Sequence, residues 1–185
     1  MYFKLGYDYP MDDDGGYYLP KDGIDFEGIG SWALGRPFDK PPPDPIRIEL
    51  VPVADFTGEP APMFDRYMCL MREEMVGALR RCGVDNIDTY PAILIDSVND
   101  RQFRYLAVNI LGLIAAADLG KSQWSNFDGA ARLDTHFESL AVDPDKARGQ
   151  LMFRLAEDTG TIVVHAKVKQ AVESAGIALL RFTQV

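Results

Sequence analysis

Ten of the twelve prolines fall within residues 1–62, together with half of the sixteen glycines. Proline fixes φ and removes a backbone donor, and glycine is costly to order, so this third of the chain cannot be built mainly from helices. It also carries Tyr7, Tyr9, Tyr17, Tyr18, Phe26, Trp32 and Phe38, too much aromatic surface for a segment left wholly unfolded. The expectation is a first strand over 2–8, a long loop-rich excursion, and a second strand over 46–53. The run Pro41-Pro42-Pro43 reads as a stiff extended connector rather than as a proline-rich ligand for a partner.

Beyond residue 62 the hydrophobic pattern becomes regular. Phe64, Met68, Met71, Met75, Ala78 and Cys82 recur at alternating spacings of four and three, with Leu79 beside them, which predicts an amphipathic helix over 65–82. Asp65 would cap its start and Gly83 would end it. The methionine-rich stripe reads as core, although such a stripe can also serve as an adaptable binding face. Two β-favouring runs, 92–98 and 103–110, flank Asn99-Asp100-Arg101-Gln102 and predict a hairpin. Asp158-Thr159-Gly160 similarly joins 151–156 to 161–164. A last helix over 165–175 would bury Val168, Ala171, Val172 and Ala175, and after Gly176 a strand would return over 177–182. Strand pairs interleaved with two or three helices indicate an α+β fold with a mixed or mainly antiparallel sheet and a loop-rich N-terminal third. At 185 residues one well-buried core is expected. The chain reads as a single domain, 1–185, with a soft internal boundary near 57–62.

The net charge of −9 argues against direct binding of nucleic acid or an anionic membrane. Its distribution is uneven. Residues 1–30 carry seven acids (Asp8, Asp12, Asp13, Asp14, Asp22, Asp25 and Glu27) against Lys4 and Lys21, whereas residues 101–185 carry nine acids and ten bases. Two readings of the acidic segment stand side by side: a solvated loop, or a docking surface for a basic partner whose association it would accelerate. In the second reading Asp12, Asp13, Asp14, Asp22, Asp25 and Glu27 supply the field and Tyr17, Tyr18, Phe26 and Trp32 the apolar anchors. In the first, those aromatics pin a long loop onto the sheet.

Cys69 and Cys82 do not make a disulfide framework. On one helix they would stand roughly 20 Å apart along the axis, so they read as buried free thiols in a reducing compartment. The opening Met1-Tyr2-Phe3-Lys4-Leu5-Gly6 lacks the basic and apolar regions of a secretory signal. The nearly apolar run 105–117 is shorter than the roughly 20 residues of a membrane span. A cytoplasmic protein is expected.

Apparent chemical signatures are weak. Gly120-Lys121-Ser122 sits near a phosphate-loop pattern, but Ala115 replaces the first glycine, and the residues that follow read as a turn, not as a helix whose amides could face an anion. His136 and His165 are the only histidines, and neither has a second ligand at metal spacing. His165, at a strand-to-helix junction, reads as a local hydrogen-bonding group. Adjacent carboxylates such as Glu73-Glu74 diverge on a helix and face solvent. No catalytic residue, cofactor or metal is nominated, and the chain does not read as an enzyme.

The order Phe153-Arg154-Leu155-Ala156-Glu157, Thr161-Ile162-Val163-Val164-His165, a short amphipathic helix, then Gly176-Ile177-Ala178-Leu179-Leu180-Arg181-Phe182 resembles the end of a known group. Further segments add to the likeness: Tyr2-Phe3-Lys4-Leu5, residues 28–32, Gly83-Val84-Asp85-Asn86 with Tyr90-Pro91, Val108-Asn109-Ile110-Leu111-Gly112, and Asp118 followed by Ser122. The group is the myxobacterial-type immunity proteins of bacterial polymorphic toxin systems, the eleventh class of such proteins. The resemblance implies a protein that binds and neutralises a cognate toxin stoichiometrically, with no catalytic residue to carry over. Together with the charge pattern it gives the expectation of a basic toxin partner, for example a nuclease-type domain. The competing reading is a small-molecule- or peptide-binding regulatory module without catalytic activity. A homo-oligomer formed through an exposed strand edge stays open.

Overall fold

The computed structural model describes residues 1–21, 30–127, 129–132 and 134–185. Among them an α+β architecture is built from three helices and thirteen strands. Six strands form the larger sheet: β2 (Tyr17–Pro20), β3 (Ile46–Val53), β4 (Met63–Asp65), β5 (Cys69–Met71), β6 (Ile87–Asp96) and β7 (Arg101–Ile110). Their order is β2-β3-β6-β7-β5-β4, with β3 parallel to β6 and the other pairs antiparallel. The second sheet has five strands, β1 (Tyr2–Tyr7), β8 (Leu113–Ile114), β11 (Met152–Leu155), β12 (Ile162–His165) and β13 (Leu180–Gln184), in the order β13-β1-β12-β11-β8. The first strand therefore meets the last ones: β1 lies antiparallel between the edge strand β13 and the central strand β12. A small ribbon pairs β9 (Gln123–Ser125) with β10 (His136–Ser139).

Strand β3 alternates strictly, Ile46, Ile48 and Leu50 inward and Arg47, Glu49 and Val51 outward, which is the pattern of a sheet with one buried face. The inward set joins Tyr18, Trp32, Phe56, Phe64, Leu94 and Tyr105 in one core. A second core lies beneath the helices. There, Met75, Val76, Ala78 and Leu79 of α1 (Glu73–Arg81) and Val168 and Val172 of α3 (Ala166–Ser174) meet Phe3, Leu5, Val108, Ile110, Ile162 and Val164. A third gathers Tyr2, Phe153, Leu155 and Val163 on the other face of the five-stranded sheet, under residues 116–119 and 137–147. The second stretch includes the short helix α2 (Pro144–Ala147), capped by the Asp143 side chain, which accepts from Asp145 N.

Helices α1 and α3 end alike. Past α1, Gly83 takes φ +102°, its N–H bonding Arg80 O while Val84 N bonds Leu79 O. Past α3, Gly176 takes φ +70°, its N–H bonding Glu173 O while Ile177 N bonds Val172 O. Each is a Schellman motif that only a residue at ease in the left-handed region closes cheaply. Helix α1 also matches its dipole, with Glu73 and Glu74 in the first turn and Arg80 and Arg81 in the last.

The helix expected over 65–82 is corrected. Only 73–81 is helical; 63–71 is the β4–β5 hairpin, in which Met63 faces Met71, Phe64 faces Leu70 and Asp65 faces Cys69. Both hairpin faces are buried. Phe64, Met68 and Leu70 enter one core while Met63, Cys69 and Met71 enter the other. Two-sided burial erases the period of two that would have marked strands, and the leftover spacing mimics a helical stripe. Asp65 is therefore a strand residue, and Arg72, without a side-chain cap bond, occupies the N-cap position. The β6–β7 hairpin forms as expected but turns earlier, with Asp96 opposite Arg101. No helix of the described residues is long and apolar enough to cross a membrane.

Candidate functional site

The acidic segment begins at the end of β1, and its first part is an ordered turn. Asp12 Oδ1 accepts from the backbone N–H of Asp14 at 3.1 Å and of Gly16 at 2.6 Å, while Gly15 N donates to Asp12 O at 3.0 Å. Gly15 stands at φ +79°, and a Cβ on Gly16 would come within 2.7 Å of Asp12 Oδ2 and 3.0 Å of Val53 O. The Asp12-Asp13-Asp14-Gly15-Gly16 sequence therefore sets the turn locally, one aspartate folding back to satisfy the backbone. All three aspartates remain exposed.

Beside the turn runs a chain of rings. Tyr17 lies 4.8 Å from Tyr9, Tyr9 lies 5.4 Å from Tyr7, and Tyr7 packs 5.9 Å from buried Phe64. Burial pushes the Tyr7 hydroxyl's pKa upward, and its hydrogen bond with Tyr9 adds to the effect. Tyr17 is half-buried, and the surface assembled here is three carboxylates on a fixed turn next to a partly open tyrosine stack.

Tyr18 and Trp32 do not belong to that surface. Tyr18 is 1% exposed, donates its hydroxyl to Asp96 Oδ2 at 2.6 Å, and packs on Phe56 and Phe103. Trp32 is 6% exposed and stands edge-on to Phe38 and Tyr90 at 4.7 and 5.8 Å. Both pin the N-terminal third onto the larger sheet, so as anchors for a partner they are corrected to core residues. Asp22, Asp25, Phe26 and Glu27 lie outside the described residues.

Sequence reasoning passed over two polar clusters buried among the described residues. Asp96, fully buried at the end of β6, accepts from Tyr18 Oη, from Asn99 Nδ2 at 2.7 Å, and from the backbone N–H groups of Val98 and Asn99 at 3.1 Å. Burial opposes its charge, but these donors outweigh it and hold the carboxyl below its ordinary range. The Asp96-Ser97-Val98-Asn99 spacing was the available signal, an aspartate capping its own turn. Arg154 on β11, 3% exposed at its side chain, reaches Asp65 on β4 with N···O distances of 2.7 and 3.3 Å and donates to Thr159 O at 3.0 Å. It ties the two sheets together. Nothing in the sequence announces that pair, because its partners lie 89 residues apart.

The other sequence-level candidates resolve locally. Lys121 pairs with Asp118 at 2.8 Å and Ser122 Oγ donates to Asp118 O, after which the chain enters β9, so no helix N-terminus stands behind Gly120. His165 is the N-cap of α3, its Nδ1 accepting from Lys167 N at 3.3 Å. His136 is exposed on β10. Cys69 and Cys82 are buried free thiols, on β5 and at the end of α1. Burial, reinforced by Asp65, raises the Cys69 pKa well above normal, which is the opposite of nucleophile activation. Among the described residues no three histidine, cysteine, aspartate or glutamate side chains converge as a metal site. An open groove of about 490 Å³ runs between the β1–β13 face and β10, with Lys4, Arg181, Glu138 and Thr161 among its lining. Comparison with known proteins found no matching family model and no matching curated relative.

Proposed function

We propose that this chain is an immunity protein that binds and neutralises a cognate bacterial toxin one-to-one, in the cytoplasm of the toxin-producing cell, and that the toxin domain it meets is basic. The observation that carries the reading is the Asp12–Gly16 turn, which displays Asp12, Asp13 and Asp14 on a locally fixed backbone beside the Tyr17–Tyr9 stack. A fixed, exposed acidic surface attracts a basic partner over distance and restricts which partner docks. Half-buried tyrosine next to it supplies contact area that loses little freedom on binding. The charge balance fits this role: seven acids against two bases in residues 1–30, and near neutrality over residues 101–185. The ordered resemblance of the chain's end to the immunity group supplies the partner class.

The test is co-expression with the candidate toxin. Growth inhibition should be relieved by the wild-type chain, and the purified pair should associate more slowly at low salt when Asp12, Asp13 and Asp14 are all changed to Lys. Growth relief with unchanged association kinetics would move the interface elsewhere. No relief would remove the immunity reading.

A further inference from the structure

Strand edges are the second feature of this fold that bears on partners. An edge strand offers unpaired N–H and C=O groups, and proteins blunt such edges by shortness, proline, bulges or cover. Most edges here are blunted. β2 ends in Pro20, β4 has three residues with Asp65 tied to Arg154, β8 has two residues, β9 has three, and β10 shifts register between Phe137 and Ser139. β13, at five residues without proline or bulge, is not.

The polar groups on its open side can be assigned. Val185 N bonds Tyr2 O and Asp8 N bonds Leu179 O, and the register pairs Lys4 with Thr183 and Gly6 with Arg181. The odd-numbered residues therefore bond β1, and the backbone groups of Leu180, Phe182 and Gln184 point outward. Among the described residues none of these outward groups has a backbone partner outside the strand ladder.

We propose that this edge pairs with the same edge of a second copy of the chain, antiparallel and centred on Phe182, joining the two five-stranded sheets into one. In that register Phe182 faces Phe182 of the other copy, and Leu180 faces Gln184 on either side. The three outward residues of each strand then exchange all their backbone bonds. The charges permit it. Arg181 falls opposite a threonine and is neutralised by Asp8 at 3.2 Å, and Lys169, which lies over the Phe182 ring, is neutralised by Glu173 at 2.8 Å. The acidic turn that would repel a second copy belongs to the β1–β2 connection, whereas residues 101–185 are nearly neutral. Helix α3 packs on β1 and β12, and Phe182, packed on Phe3 beneath Lys169, is only partly buried. A five-residue strand pair buries less than the roughly 1,200 Å² of a standard stable interface, so the dimer is concentration-dependent.

Sedimentation velocity from 1 to 300 µM (about that span) tests it. The wild type should shift from monomer to dimer, and Gln184→Pro, which deletes an outward donor that bonds no other described residue, should weaken association at least tenfold while its melting curve stays near wild type. Phe182→Cys should give a disulfide-linked dimer under mild copper–phenanthroline oxidation, because a paired residue sits about 5.5 Å from its mate, whereas Gln184→Cys should not. A wild type monomeric throughout, a Gln184→Pro chain that dimerises as before, or equal cross-linking of both cysteine variants would overturn the proposal. So would a monomer whose edge becomes protected only when a different protein binds.

Discussion

The two sheets are assembled by opposite routes. In the six-stranded sheet the central pair is a local hairpin, β6–β7, whose ten-residue strands run in unbroken register, and Asp96 locks its turn from inside. In the five-stranded sheet the first strand of the chain, β1, is inserted between the edge strand β13 and the central strand β12, and both of its partners come from the last quarter. One sheet is built around a ten-residue local hairpin; the other has only the short local pair β11–β12 and is completed by the long-range insertion of β1. The Arg154–Asp65 bridge adds a buried ion pair to the hydrophobic core that the two sheets share beneath α1 and α3.

Breaking that bridge should have the largest effect. Arg154→Ala leaves Asp65 almost buried and unpaired, and urea unfolding should show a loss of about 3–5 kcal/mol. Replacing both partners by apolar residues should recover much of it, which would mark the bridge as a coupling device more than a net source of stability. Second comes Asp96→Ala, which strands the Tyr18 hydroxyl and the turn amides; about 2–4 kcal/mol is expected. If Arg154→Ala unfolds both sheets together while Asp96→Ala leaves the five-stranded sheet's amides exchanging as before, the proposed contrast in assembly is wrong.

Acid should act through the hairpin as well. The Asp96 carboxyl is held below its ordinary range in the folded protein, so its contribution is complete above the unfolded carboxylate pKa of about 3.9 and disappears as pH falls through the lower, folded value. Asp96→Asn should flatten the stability–pH curve below about pH 4 relative to wild type. Smaller still is the acidic turn: Gly15→Ala, at a residue with φ +79°, should cost about 1 kcal/mol. Changing Asp13 and Asp14 to Lys, at exposed positions, should alter stability by no more than about 0.5 kcal/mol.

The same contrast explains what the sequence disclosed. β3 was readable residue for residue because one of its faces is buried and the other wet. The β12–α3 end was readable because His165 and Gly176 mark both limits of the helix, although the returning strand is Leu180–Gln184 and not the 177–182 expected. The hairpin over 63–71 was not, since both its faces are buried and no period of two survives. In the candidate surface, the Asp12–Gly16 turn is a local signal, written in adjacent residues. Tyr18 and Trp32 carry no such mark: their inward direction is set by Asp96, 78 residues from Tyr18, and by Tyr90, which packs on Trp32.

Affinity capture of the tagged chain from its native cells, with stepped salt washes and mass spectrometry of what is retained, tests the central claim most directly. A stoichiometric partner bearing a basic toxin domain, released by moderate salt, is the expected result. Recovery of the chain alone from cells that express the toxin would contradict it.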